Sequence, residues 1–238
     1  MIKRFLKRSE TLVGCLQDIR NARSILRRFY RAFAVKAYLD STKTKKLQIG
    51  SGPKVLNSWL CTDISPRLSE TVYLDATKPF PFSDSTFDYV FCEHMIEHIP
   101  YEKGVFMLGE CHRILKPSGT IRISTPDLGV LLGLYNSKPD SRQAQYIKWI
   151  TDQYLKVGIY RASLVINNAF RNWGHQFLYD SDLLQMAMKE AGFDTIRRQT
   201  PGESDDENLK GLETHGKNIG NEEMNAFETM VFEGRCRK

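Results

Sequence analysis

The chain predicts an α/β fold, a doubly wound and mostly parallel sheet preceded by a helical extension. Three observations carry this. Short apolar runs alternate with stretches of helical spacing, the pattern of a parallel sheet with helices on both faces. Five of the runs are followed closely by a glycine or an acidic residue: Gly50, Asp63, Asp75, Glu93 and Asp127. In such sheets ligands bind beyond the carboxyl ends of the strands, so these residues, taken in order, outline a site.

The elements follow in sequence. Lys46–Ile49 is an apolar run ending in Gly50-Ser51-Gly52, Trp59–Thr62 ends in Asp63, and Thr71–Leu74 ends in Asp75. Phe87–Cys92 ends in Glu93-His94. Val105–Leu115 has helical spacing and is stopped by Lys116-Pro117-Ser118-Gly119. Thr120–Ser124 alternates and leads to Pro126-Asp127, and Leu183–Ala191 is again helical up to Gly192. Asp194–Gln199 and Phe227–Glu233 read as the last two strands, with the polar segment 201–225 as a long connection between them. Residues 136–180 read as an insertion, and 45–238 as one domain.

Composition narrows the class. With 238 residues, 41% hydrophobic and 26% charged, the chain has ordinary globular make-up, which excludes collagen-like, coiled-coil and fully disordered readings. The longest near-continuous apolar stretch, Val130–Tyr135, is far short of the roughly 20 residues that span a bilayer. The basic start, Met1–Arg8, is not followed by an uninterrupted apolar run, so a secretory signal is not expected. Cysteines 15, 61, 92, 111 and 236 form no C-x-x-C pair, which suggests reduced thiols and a cytoplasmic protein.

Charge is uneven. Residues 1–46 hold 13 Lys/Arg against Glu10, Asp18 and Asp40, a net of +10; with +6 overall, residues 47–238 carry −4. Apolar positions from Leu12 to Phe33 recur at helical spacing with Arg27, Arg28 and Arg31 between them, so residues 1–44 read as a basic amphipathic helical segment. A cap helix with a solvated basic face is the favoured reading. Peripheral contact with an anionic membrane through residues 1–40, at the inner membrane face, is the second.

Gly50-x-Gly52 lets backbone approach a ligand closely. Position 55 is Val, which breaks a dinucleotide fingerprint, and no Gly-Lys-Ser/Thr follows for a phosphate loop. A nucleoside ligand without pyrophosphate fits better. Asp63, ending the next strand, can accept both hydroxyls of a ribose, and Asp75 can accept from an exocyclic amine. For either alone, a helix cap or turn is the competing explanation.

Leu47–Gly52, Pro79–Asp88, Phe87–His98 and Leu115–Gly119 together resemble class I S-adenosylmethionine-dependent methyltransferases of the type-11 family. Within that family the chain looks most like bacterial members from polysaccharide and glycan gene clusters, by Trp59 near Asp63, His175 with Tyr179-Asp180, and Gly202-Glu203-Ser204. The resemblance implies a Rossmann-like methyltransferase fold, a seven-stranded sheet with the last strand antiparallel. It implies S-adenosylmethionine as cofactor. By position it places Gln48, Gly50, Ser51 and Gly52 around the methionine part, Asp63 and Ile64 at the ribose, and Asp75 and Ala76 beside the adenine. Glu93 and His94 close the site. Many members carry an acid where this chain has Gln48, whose amide oxygen accepts a hydrogen bond but brings no charge.

His94-Met95-Ile96-Glu97-His98 also spells H-x-x-E-H, the pattern of inverted zinc peptidases. The motif begins at a strand end and Pro100 limits any helix, so His94 is expected in a turn and no resident metal is expected.

Transfer to a hydroxyl needs a base. The candidates are His175, His98 and Asp127, with His175 ranked first because the insertion should cover the pocket. Aromatic residues of the insertion, Tyr146, Trp149, Tyr154, Tyr160, Phe170 and Trp173, suit sugar rings or an ordinary small core equally. The expected function is methylation of a small-molecule or saccharide acceptor, by in-line transfer to oxygen. A non-catalytic scaffold on this fold is one alternative. A nucleic-acid methyltransferase is the other, but residues 47–238 are net acidic and hold no Asn/Asp-Pro-Pro-Tyr/Phe run, so no nucleic-acid partner is expected.

Overall fold

The structure is a computed structural model that describes residues 30–139 and 141–237. The chain parts into two units between Lys43 and Thr44. In the first, residues 30–41 form a helix in which Lys36 Nζ lies 2.7 Å from Asp40 Oδ2, one turn on. The rest of the basic segment, residues 1–29 with Cys15, lies outside the described residues. Among the described residues no helix is long and apolar enough to cross a membrane.

The second unit is built on a seven-stranded sheet: β1 (Lys46–Ile49), β2 (Leu60–Asp63), β3 (Val72–Tyr73), β4 (Phe87–Glu93), β5 (Leu115–Pro126), β6 (Phe193–Gln199) and β7 (Thr229–Cys236). Their order is β3-β2-β1-β4-β5-β7-β6. The first five strands pair in parallel, and β7 runs antiparallel between β5 and β6. This is the Rossmann-like methyltransferase arrangement that the sequence implied. The inner strands are buried on both faces, whereas β6 alternates as an edge strand exposed on one side does. The chain reverses its direction across the sheet between β1 and β4. The crevice at that switch point opens between the ends of those two strands, in register at Ile49 and Cys92.

The helices are α1 (Tyr101–Ile114), α2 (Leu128–Gly133), α3 (Arg142–Ile150), α4 (Ala162–Arg171), α5 (Ser181–Glu190), α6 (His215–Asn218) and α7 (Glu222–Glu228). Several boundaries differ from expectation for local reasons. α1 starts at Tyr101 because Pro100 fixes the residue before it, and β5 begins at Leu115 with no intervening turn. The connection 201–225 is not simply irregular. It holds α6, and the start of α7, whose Asn221 side chain caps it by accepting from Met224 N. Phe227 therefore lies in a helix, not a strand.

The insertion forms its own core. Leu131, Leu134, Tyr146, Ile147, Ile150, Val165, Ile166 and Ala169 pack with Leu178 and Met224. A second cluster, Trp59, Cys61, Phe91, Leu209 and Leu212, holds the 201–225 connection against the sheet. Beside it Arg122, fully buried on β5, donates to Glu213 (2.6 Å and 3.0 Å) and to Glu203 O (2.9 Å), and pairs with Glu233.

Candidate functional site

A cleft of about 470 Å³ opens at the ends of β1 and β4. Its floor is Gln48, Gly50, Ser51 and Gly52 from the β1 end and Glu93 and His94 from the β4 end. One wall is Thr214, His215 and Glu228; the other is Trp149, Tyr154, Trp173 and His175 from the insertion. Glu97 and His98 lie between. Four of the chain's five histidines thus line one cavity.

The β1 turn needs its first glycine. Gly50 sits at φ +70°, and a Cβ there would meet Met95 Cβ at 2.8 Å. Gln48 is buried, and its Oε1 has no hydrogen-bond partner among the described residues. An orphaned buried acceptor lining a cleft calls for a donor from a ligand. The ammonium group of S-adenosylmethionine is such a donor, so this part of the cleft fits that cofactor.

Other expected cofactor residues are placed differently. Asp63, Ile64, Asp75 and Ala76 stand at the ends of β2 and β3 but are not part of the cleft lining. Asp63 Oδ2 accepts Gly52 N (3.0 Å) and Oδ1 accepts Ser65 N (2.7 Å), so it braces the glycine turn. Asp75 accepts from Thr77 N and Oγ1 (3.0 and 2.6 Å) and pairs with Lys78 (3.0 Å). Ile64 is 61% exposed, and Ala76 is buried. Glu93 does line the cleft, yet its carboxylate is engaged. Oε1 accepts Thr214 N and His215 N, both at 2.8 Å, which fixes the start of α6 as the cleft wall.

His94 lies in a left-handed turn, φ +45°, and only Ile96–His98 beyond it form one 3-10 turn. The H-x-x-E-H pattern therefore does not put its two histidines on one helix face. His94 Nδ1 is 3.2 Å from Glu97 Oε1, and its Nε2 is 3.0 Å from Thr229 Oγ1. Burial pushes His94 down, but the Glu97 pairing and the charges of Glu228 and Glu93 outweigh it and carry its pKa above the ordinary value. Burial likewise opposes ionisation of Glu97, but the same pairing keeps its pKa below the usual carboxylate range. Glu228 is shifted the other way, raised by burial while Tyr146 donates to it.

His175 lies beside His98, rings 5.0 Å apart and edge to face. Its Nδ1 is 2.7 Å from the Ala169 carbonyl, an acceptor only, so Nδ1 carries the proton and Nε2 presents a lone pair. Burial holds its pKa below the ordinary histidine value, against the opposing pull of Glu97. The imidazole is neutral at pH 7.

Asp127 stands apart from the two histidines. It is not part of the cleft lining. Its Oδ1 accepts Gly129 N (2.9 Å), capping α2, and its Oδ2 accepts from Arg198 (2.8 Å). It lines a separate depression with Asp180 and Arg198. The strand-end position that suggested chemistry is that of a helix cap.

The insertion's aromatics divide. Tyr146 is core, 1% exposed; Tyr160 and Phe170 are half exposed; Trp149, Tyr154 and Trp173 line the cleft in an edge-to-face chain with ring centroids 5.7 and 5.1 Å apart. Sequence reasoning missed Glu97, His215 and Glu228 as site residues. The first was legible only as part of a zinc pattern. The other two reach the cleft from 201–228 through tertiary packing that no local pattern records.

Residues 47–123 match a family model described as a methyltransferase domain. A search of curated proteins returned no match. Among solved structures, the chain is similar to a SAM-dependent methyltransferase from Archaeoglobus fulgidus. Identity is 16%, covering 90% of this chain and 94% of that one, with a TM-score of 0.49. It is also similar to a chain of the Haloferax volcanii complex between the Trm112 methyltransferase activator and a methyltransferase. There identity is 14%, over 88% of this chain and 90% of that one, with a TM-score of 0.47.

Proposed function

We propose that the chain is a methyltransferase that uses S-adenosylmethionine, a reading supported by the match of residues 47–123 to a methyltransferase domain, and that it methylates a hydroxyl oxygen of a saccharide or similar small molecule. One observation carries the reading. The orphaned Gln48 acceptor and the His98–His175 pair line a single cleft, with Trp149, Tyr154 and Trp173 on the histidine side.

Bound at the β1 turn, the cofactor supplies an electrophilic methyl group. Gln48 Oε1 would accept from its ammonium group, and the Cβ-free turn at Gly50 and Gly52 would let it lie against backbone. The three aromatic faces hold an acceptor ring and exclude water. His175 Nε2 would take the hydroxyl proton as the acceptor oxygen bonds to the methyl carbon and that carbon's bond to sulfur breaks, leaving a neutral thioether, with Ala169 O fixing the tautomer. Asp63, Ile64, Asp75 and Ala76, at the ends of β2 and β3, keep the ribose and adenine roles that the family resemblance gives them. His98 orients the acceptor beside His175. Location in the cytoplasm, with residues 1–40 meeting an anionic membrane, belongs to this reading. Sedimentation with anionic liposomes, with and without residues 1–40, checks it: equal pelleting removes the membrane contact.

The test has two stages. S-adenosylhomocysteine at 100 times its Kd adds about 2.7 kcal/mol of stability, a midpoint rise of roughly 5–10 °C for a domain of this size. No rise at millimolar ligand favours a scaffold. Turnover on a panel of glycosides, phenols and amines then identifies the acceptor. His175→Ala lowers kcat by about a hundredfold or more on a hydroxyl acceptor and leaves the thermal shift intact. Transfer to amines alone overturns the oxygen assignment.

A further inference from the structure

We infer that Glu97, His98 and His175 bind a divalent transition-metal ion, and that this ion competes with the acceptor's proton for His175 Nε2. The second half rests on the reading of His175 as the base. The sequence led us to expect no metal, because the H-x-x-E-H pattern would need His94 and His98 on one helix. The ligand set proposed here leaves His94 out and takes His175 from the end of the insertion.

Each of the three residues offers a ligand atom, and these atoms lie within 4.8 Å of one another. Ligand atoms about 2.1 Å from a tetrahedral ion stand about 3.4 Å apart, so the trio draws in by somewhat more than an ångström when it closes. Two imidazoles and one carboxylate suit zinc, cobalt or nickel. Magnesium and calcium prefer oxygen donors throughout. Three protein ligands in a cleft leave a fourth position open to water or to an acceptor oxygen.

The surroundings are those of ligands held in place. A metal-binding histidine almost always donates its other ring N–H to a carbonyl or carboxylate. His175 Nδ1 does so to Ala169 O at 2.7 Å. A ligating carboxylate is itself hydrogen-bonded. Glu97 Oε2 accepts from Thr125 Oγ1 at 3.0 Å, while its Oε1, fully buried, makes no well-formed hydrogen bond beyond the 3.2 Å approach of His94. No hydrogen bond among the described residues engages the His98 ring. The backbone that carries these ligands is laced together. Gln176 N and Phe177 N donate to Glu97 O at 2.7 and 3.1 Å, and Gln176 Nε2 donates to His98 O at 2.6 Å. Two segments distant in sequence are thus fixed side by side, with their donors converging.

An ion on His175 Nε2 occupies the lone pair that would accept the acceptor's proton. Loaded protein is therefore a poor methyltransferase and stripped protein a good one.

The experiment titrates the full chain, stripped with EDTA, with cobalt(II) chloride and follows visible d–d absorbance. We expect saturation at one equivalent. His98→Ala and His175→Ala abolish it, Glu97→Gln weakens it at least tenfold, and His112→Ala, outside the cleft, leaves it unchanged. Absorbance that never saturates, or that survives both cleft-histidine substitutions, overturns the site. The thermal shift with S-adenosylhomocysteine, measured on the same variants, reports independently on fold and cofactor binding, so its loss counts against the methyltransferase reading and not against the ion. With an acceptor in hand, one equivalent of zinc should lower turnover at least tenfold and EDTA should restore it. Saturable binding with unchanged or raised turnover overturns the competition.

Discussion

His94, on the cleft floor, and His215, on one wall, stack with ring centroids 4.1 Å apart and planes 19° from parallel. Their proton affinities are driven apart. Burial opposes protonation of His94, but the Glu97 pairing and the charges of Glu228 and Glu93 outweigh it and raise its pKa, whereas burial, then the neighbouring His94, pushes His215 down to about 4. The stack lies next to the Glu93 carboxylate that fixes the start of α6.

Replacing His215 by Ala should remove the ring and keep the fold, because the His215 backbone N–H still donates to Glu93. Calorimetry with S-adenosylhomocysteine should show a Kd several-fold higher and a midpoint lowered by only a few degrees. An unchanged Kd would place the stack outside cofactor binding.

Gln48 tests the cofactor's ammonium group. Gln48→Ala should weaken S-adenosylhomocysteine binding by about tenfold, the loss of roughly one hydrogen bond to a charged group. Gln48→Glu should tighten it while lowering the ligand-free midpoint, since a carboxylate is then buried without a partner.

The two glycines of the β1 turn are not equivalent. Gly50→Ala combines a left-handed backbone with the clash at Met95 and should cost about 2–4 kcal/mol. Gly52, at φ +57° with open space where a Cβ would stand, should cost about 1–2 kcal/mol. Urea unfolding of both variants separates the effects, and equal losses would remove the steric argument at Gly50.

Arg122→Met should destabilise by about 3–5 kcal/mol, because Glu213 and Glu233 are then left buried without their cation. Arg122→Lys should recover only part, since one ammonium cannot reproduce the two-pronged bond to Glu213. Denaturant midpoints measure both.

Tyr89 donates to Asp206 at 2.7 Å, and burial followed by that bond pushes its pKa up to about 12. The folded state therefore holds this proton more tightly than the unfolded one. Its stabilisation is complete below pH 10 and is lost as pH rises toward 12. Stability measured from pH 9 to 12 should fall more steeply in the native chain than in Tyr89→Phe; parallel curves would contradict the assignment.

The sheet was legible because its strands are short apolar runs punctuated by glycine and acid, and those signals are local. The β1 turn and the β4 end were legible for the same reason. The two walls of the site were less so. Asp127 and Glu93 carry the same strand-end signature, yet one caps a helix and the other lines the cleft, and only the fold distinguishes them. Among the insertion's aromatics, spacing alone could not separate buried Tyr146 from Trp149, three residues on, which lines the cleft. His215 and Glu228 enter the site because Glu93, Arg122 and the Trp59 cluster draw the 201–228 connection onto the sheet.

That connection is stapled at both levels, by Arg122 to Glu213 and Glu203 and by Glu93 to Thr214 and His215. The opposite bank, residues 149–175, meets solvent at Val157, Ile159 and Tyr160. The two banks are accordingly unequal: one is tied down by buried carboxylate and guanidinium bonds, and the other keeps apolar side chains in water, so local opening costs least on the insertion's side.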